Sequence, residues 1–125
     1  MNADISEWVR LAEMDLSTAR HMFYTFYPIP LEIVCFHSQQ TAEKMLKAYL
    51  VSQGIEPPKI HDMRKLCDMC IEIEKNFDEI FTEAVLLTRY AVRLRYPIEL
   101  ELIESDASKA IEYADKVMSF VKTLI

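Results

Sequence analysis

The stretch LEIVCFHSQQTAEKMLKAYLVSQG, residues 31–54, decides the fold. Val34, Cys35, Ala42, Met45, Leu46, Tyr49 and Leu50 recur at helical steps and define an apolar face. Pro30 suits the first turn of a helix, and Gly54 stands where a helix end favours a left-handed residue. The stretch therefore predicts a helix over Leu31–Gln53. Set into its middle is a polar string, His37, Ser38, Gln39, Gln40, Glu43 and Lys44, unusual between core residues. These side chains either form an interhelical network that fixes register or line a pocket.

Outward from this helix the same period continues. Towards the N-terminus, Ile5, Trp8, Ala12, Asp15, Ala19, Met22 and Phe26 predict a helix over Asp4–Phe26. Asp15 lies on that apolar stripe and needs a partner, because an isolated buried charge is costly. Pro28 and Pro30 break the chain between the two helices. After a connector holding Pro57 and Pro58, a third helix is expected from His61 or Asp62, either of which can cap it, to Asn76. A fourth is expected over Asp78–Arg95, with Ile80, Phe81, Ala84, Leu87 and Ala91 inward and Pro97 as its stop. The last spans Ile103–Leu124, periodic in Ala107, Ala110, Ile111, Ala114, Val117, Met118 and Val121.

Composition agrees. Gly54 is the sole glycine among 125 residues, whereas an all-β chain of that length needs many glycine-dependent turns. Short connections favour antiparallel neighbours. The expectation is all-α: one domain over residues 1–125, an antiparallel up-and-down helical bundle of four main helices plus a shorter additional one.

The net charge of −6 argues against a general nucleic-acid coat and leaves room for a local basic patch. No run approaches the roughly 20 apolar residues of a membrane span, and MNADISEWVR lacks a secretory pattern. A cytoplasmic location is expected. Cys35, Cys67 and Cys70 form an odd set of thiols. The pair Cys67-x-x-Cys70 lies in a helical stretch with no second pair and no βαβ context, so it reads as packing rather than a zinc or redox site. No metal and no cofactor are expected. A single glycine cannot build a P-loop, and no H-E-x-x-H or G-x-S-x-G occurs.

Three segments together resemble the HEPN family. The first helix carries A-x-x-D-L-x-x-A, here Ala12, Asp15, Leu16 and Ala19. The second carries C-F-H-S-Q-Q-T-A-E-K-M-L-K-A, Cys35 to Ala48, and His61 follows its loop. R-L-R-Y-P, Arg93 to Pro97, closes the fourth helix. The resemblance covers nearly the whole chain. It implies a bundle of four main helices with a shorter one, often a homodimer, in many members the toxin half of a toxin-antitoxin pair with a minimal nucleotidyltransferase partner.

Ribonuclease members of the family share an Arg, four to six residues, then a His. Histidine moves a proton near neutral pH, while arginine grips two phosphate oxygens. Here the pattern is not intact: with six residues intervening, Tyr96 follows Arg89 where the histidine could stand. A phenol, with a reference pKa near 10, is a poor base at neutral pH, though it can stack on a nucleobase. The cluster Arg89, Arg93 and Arg95 keeps its cations on one stretch of helix. It either binds a nucleotide or RNA, with Gln40, Glu43, Lys44 and Lys47 lining the pocket, or pairs with acids such as Asp15 or Glu43. His37 is read as a satisfied interhelical histidine in a polar network with Asp15, and His61 as a cap. The aromatic residues between Phe23 and Tyr27 are read as core or dimer surface.

The leading expectation is a nucleotide- or RNA-binding domain acting beside a nucleotidyltransferase without strong catalysis. One alternative is a metal-independent ribonuclease toxin using His37 or His61. The other is a purely structural dimeric interaction module.

Overall fold

A computed structural model describes residues 3–91 and 101–125. Helix α1 spans Ala3–Thr25, α2 Leu31–Ser52, α3 Met63–Ile73, α4 Phe81–Leu86 and α5 Glu104–Lys122, with 3₁₀ segments at Lys75–Ile80 and Thr88–Tyr90. All the described elements are helical, in keeping with the expected all-α bundle. None of the described helices is long and apolar enough to cross a membrane.

Helix α1 lies antiparallel to α5: Arg20 pairs with Asp115 at 2.9 Å and Glu13 with Lys122 at 3.4 Å, so residues climb on one helix as they descend on the other. Between α1 and α2 the chain turns through Pro28 and Pro30, and the carbonyl of Pro30 accepts the first amides of α2 from Ile33 and Val34. Gly54 ends α2 at φ +74°, the left-handed conformation its position called for. Asp62, not His61, caps α3, its carboxylate accepting from Lys65 N at 3.2 Å. Helix α3 starts beside the middle of α2 and leans its Cys70 thiol on the Leu46 carbonyl.

The buried apolar side chains form one cluster. Phe77 is its largest fully buried member, 4.6 Å from the Tyr49 ring and 5.0 Å from Phe120 between centroids. Burial of a residue this size stabilises by about 2–3 kcal/mol.

One expected helix is corrected. In place of a continuous helix over Asp78–Arg95, residues Lys75–Tyr90 form a 3₁₀ segment, one short α-helix and a second 3₁₀ turn. The core residues there explain it. Phe77 to Ile80 and Leu87 to Tyr90 are steps of three, which a 3₁₀ helix stacks on one side, whereas Ile80 to Ala84 is a step of four. Phe81 and Ala91, expected inward, are half-buried, and Phe77 and Tyr90 take the inward places. Arg93, Arg95 and Tyr96 lie outside the described residues.

Candidate functional site

Helix α2 carries two polar faces. His37, Thr41 and Lys44 follow at steps of four and three and turn towards α1, where they meet Asp15. His37 Nδ1 lies 2.8 Å from Asp15 Oδ1, and Lys44 Nζ donates to Oδ2 of the same carboxylate. Thr41 Oγ1 donates to the Ala12 carbonyl at 3.1 Å. Asp15 thus has the partners its buried position requires. Its partners are a lysine and a histidine rather than an arginine.

Gln39, Glu43 and Lys47 follow at steps of four on a second face, towards α3. Only 5% of the Glu43 side chain is exposed, and it gathers three partners: Gln39 Nε2 at 3.0 Å, His61 Nδ1 at 2.9 Å and Lys47 Nζ at 3.2 Å. Gln40 Nε2 donates to Gln39 Oε1 at 2.8 Å and joins this group from the α2 surface. His61 is 46% exposed in its side chain. When Nδ1 donates to Glu43, Nε2 carries no proton in the neutral ring, the way a carboxylate fixes a tautomer in acid–base sites.

Arg89 occupies a different place. It sits on the 3₁₀ turn Thr88–Tyr90, exposed, its guanidinium 5.6 Å from the centroid of the Tyr90 ring. It makes no ion pair among the described residues. Beside it opens a cavity of about 140 Å³ lined by Leu86, Arg89, Tyr90, Asp106, Lys109, Ala110 and Tyr113. The floor is fixed from below. Tyr90 is buried and its side chain is hydrogen-bonded to Cys35 of α2; burial pushes the phenol up to about 12 and the thiol up to about 11. Both groups are therefore neutral at physiological pH.

The sequence grouped Gln40, Glu43 and Lys44 with Arg89 as pocket residues. The structure instead puts these three in the α2 network, and none of them lines the Arg89 cavity. His61 is corrected from helix cap to partner of Glu43. Sequence reasoning missed Asp106, Lys109 and Tyr113. Their spacing of three and four along α5, beside the apolar stripe, was the signal that could have found them. Cys67 and Cys70 are fully buried and unpaired by disulfide, with their thiols pushed well up by burial, Cys67 to about 12. This is packing chemistry, not thiolate chemistry.

The HEPN domain profile matches residues 5–124, and the chain belongs to the HEPN family. It is similar to the crystal structure of an archaeal HEPN homologue, with 31% identity, 96% of each chain covered and a TM-score of 0.75. A crystal structure of a Thermus thermophilus protein shares the fold at a TM-score of 0.78, with 19% identity over 97% of this chain and 98% of that one. No curated protein matches the sequence.

Proposed function

We propose that this HEPN domain binds a nucleotide or RNA through Arg89, aided by Arg93 and Arg95, and works as a homodimer beside a minimal nucleotidyltransferase protein, without strong catalysis of its own. The observation that carries this reading is the state of Arg89. The buried acids Asp15 and Glu43 already have their cations, so the Arg89 charge serves neither. An exposed guanidinium at the mouth of a cavity, with Lys109 on its rim, is suited to bidentate capture of phosphate oxygens. Tyr24, Phe26 and Tyr27, exposed by 75%, 49% and 97%, supply an aromatic patch for the second copy.

Labelled ATP and a short single-stranded RNA, titrated against wild type, Arg89→Ala and Arg95→Ala, test the binding. The proposal expects binding that weakens in both variants. Equal absence of binding in all three proteins, or equal binding in all three, sinks it. Sedimentation of wild type and Tyr27→Ser tests the dimer.

One observation supports a second reading, a metal-independent ribonuclease. His61 is held at Nδ1 by a buried carboxylate and half-exposed, as a general base would be. That reading requires RNA cleavage in the presence of chelator, lost in His61→Gln. Intact RNA under those conditions removes it.

A further inference from the structure

The Arg89 cavity has a size and a lining that together restrict what it accepts. At about 140 Å³ it is far below the roughly 300–1,000 Å³ of pockets that enclose a whole drug-sized ligand, and close to the roughly 150 Å³ cavity that takes one benzene ring. That volume matches a single six-membered ring more closely than two fused ones. Its lining includes Leu86, Ala110 and two tyrosines, Tyr90 beneath the Arg89 guanidinium and Tyr113 on α5, an apolar and aromatic set that suits a flat aromatic guest. Two cations, Arg89 and Lys109, are exposed at the rim.

Asp106 adds a chemical constraint. Its Oδ2 accepts from the Ile103 amide at 2.9 Å, while the Asp106 amide donates to the Ile103 carbonyl at 3.0 Å. This reciprocal pair fixes the carboxylate at the start of α5. Oδ1 has no partner among the described residues. An ionised carboxylate only accepts, so a guest that meets it must bring an N–H. Cytosine brings its 4-amino group, the natural partner of Asp or Glu; uracil brings a carbonyl at the same place and only the single N3–H beside it, so a carboxylate that meets N3–H also faces the O4 acceptor.

We propose that this cavity is a subsite for one pyrimidine nucleotide, cytidine preferred over uridine, in which Tyr113 stacks on the ring, Asp106 accepts from the 4-amino group and Arg89 with Lys109 holds the 5′-phosphate. The proposal rests on the reading of Arg89 as a phosphate-binding group and adds the base and the α5 residues that read it.

The test is a calorimetric titration of the full chain with CMP, UMP, AMP and inorganic phosphate, alongside ATP. CMP should bind at least about tenfold tighter than UMP, the low end of what one good base contact discriminates. Asp106→Asn keeps an oxygen for the Ile103 amide but turns an N–H donor to the guest, so it should bring the CMP to UMP ratio to one or below. Lys109→Ala, at an exposed position, should weaken CMP and UMP equally and leave their ratio. Equal affinity of wild type for CMP and UMP, tighter binding of AMP than of CMP, or a ratio unchanged in Asp106→Asn overturns the proposal. If ATP or phosphate binding is still lost in Arg89→Ala, the phosphate reading stands while the base subsite falls. If wild type binds none of the five ligands, both fall.

Discussion

Replacing Glu43 with alanine is expected to cost about 3–4 kcal/mol of stability, and the structure shows where the cost arises. Only 9% of the Lys47 side chain and 5% of the Glu43 side chain are exposed. Removing the carboxylate leaves the Lys47 ammonium without its counter-charge, and breaking a buried pair from one side costs roughly 3–5 kcal/mol. The lysine stem lets the charge creep towards water, which favours the lower end. Gln39 Nε2 retains a weaker contact, 3.4 Å from Met63 Sδ, and half-exposed His61 turns to solvent, so neither adds much. With an unfolding entropy of roughly 2.1 cal/mol/K per residue over 125 residues, 3 kcal/mol lowers Tm by about 11 °C. Lys47→Met should cost less, about 1–2 kcal/mol, because Glu43 keeps Gln39 and His61. The double variant Glu43→Leu/Lys47→Met should be more stable than Glu43→Ala, since an apolar pair of similar volume can replace a buried ion pair. Urea unfolding followed by far-UV circular dichroism at neutral pH measures all three. A cost below about 1 kcal/mol for Glu43→Ala, or a double variant as unstable as the two singles added, would refute the reasoning.

Three further outcomes are expected. Burial pushes the Cys35 and Cys67 thiols up to about 11 and about 12 in the folded chain against an ordinary 9.0, so the unfolded chain loses these protons first; stability should fall as pH rises through roughly 9 to 12, and a thiol reagent near pH 8 should react at the rate of opening. Chemical denaturation across that range, with absorbance-monitored thiol titration, checks both. The hydrogen bond from Lys116 at 2.7 Å holds the Glu83 carboxyl below its ordinary 4.5, so its contribution is present above that value and lost as pH falls through the folded one. Wild type should therefore lose stability more steeply than Lys116→Met on acidification from about pH 5 to 3. Gly54→Ala, at φ +74° with open space around the added carbon, should cost about 1 kcal/mol from backbone conformation alone, read as a shift in the urea midpoint.

Residues 31–54 read correctly because every signal in them agrees: proline at the start, glycine at the end, apolar steps of three and four between. Asp78–Arg95 read as one α-helix because Ile80, Ala84, Leu87 and Ala91 follow at steps of four, three and four, an α-helical period. The residues that are buried, Phe77, Ile80, Ala84, Leu87 and Tyr90, step by three, four, three and three, and this excess of threes marks the 3₁₀ pieces. Asp15 announced its need for a partner and His37 was read beside it, but no local rule says that Lys44 takes the other carboxylate oxygen, since helix pairing is a long-range choice. The same limit hid the Arg89 cavity. Its cation was legible; its other wall comes from α5, some twenty residues later in the chain.

Glu43 and Lys44 are neighbours in sequence, yet Glu43 meets His61 at the head of α3 while Lys44 meets Asp15 of α1. Exchanging the two letters would leave composition, net charge and helical propensity as they are. The lysine would then meet Lys47 and the glutamate would meet Asp15, so both neighbours would be offered like charge. Which helix goes to which side of α2 is thus written in the order of two adjacent residues, a piece of addressing that no count of residue types can contain.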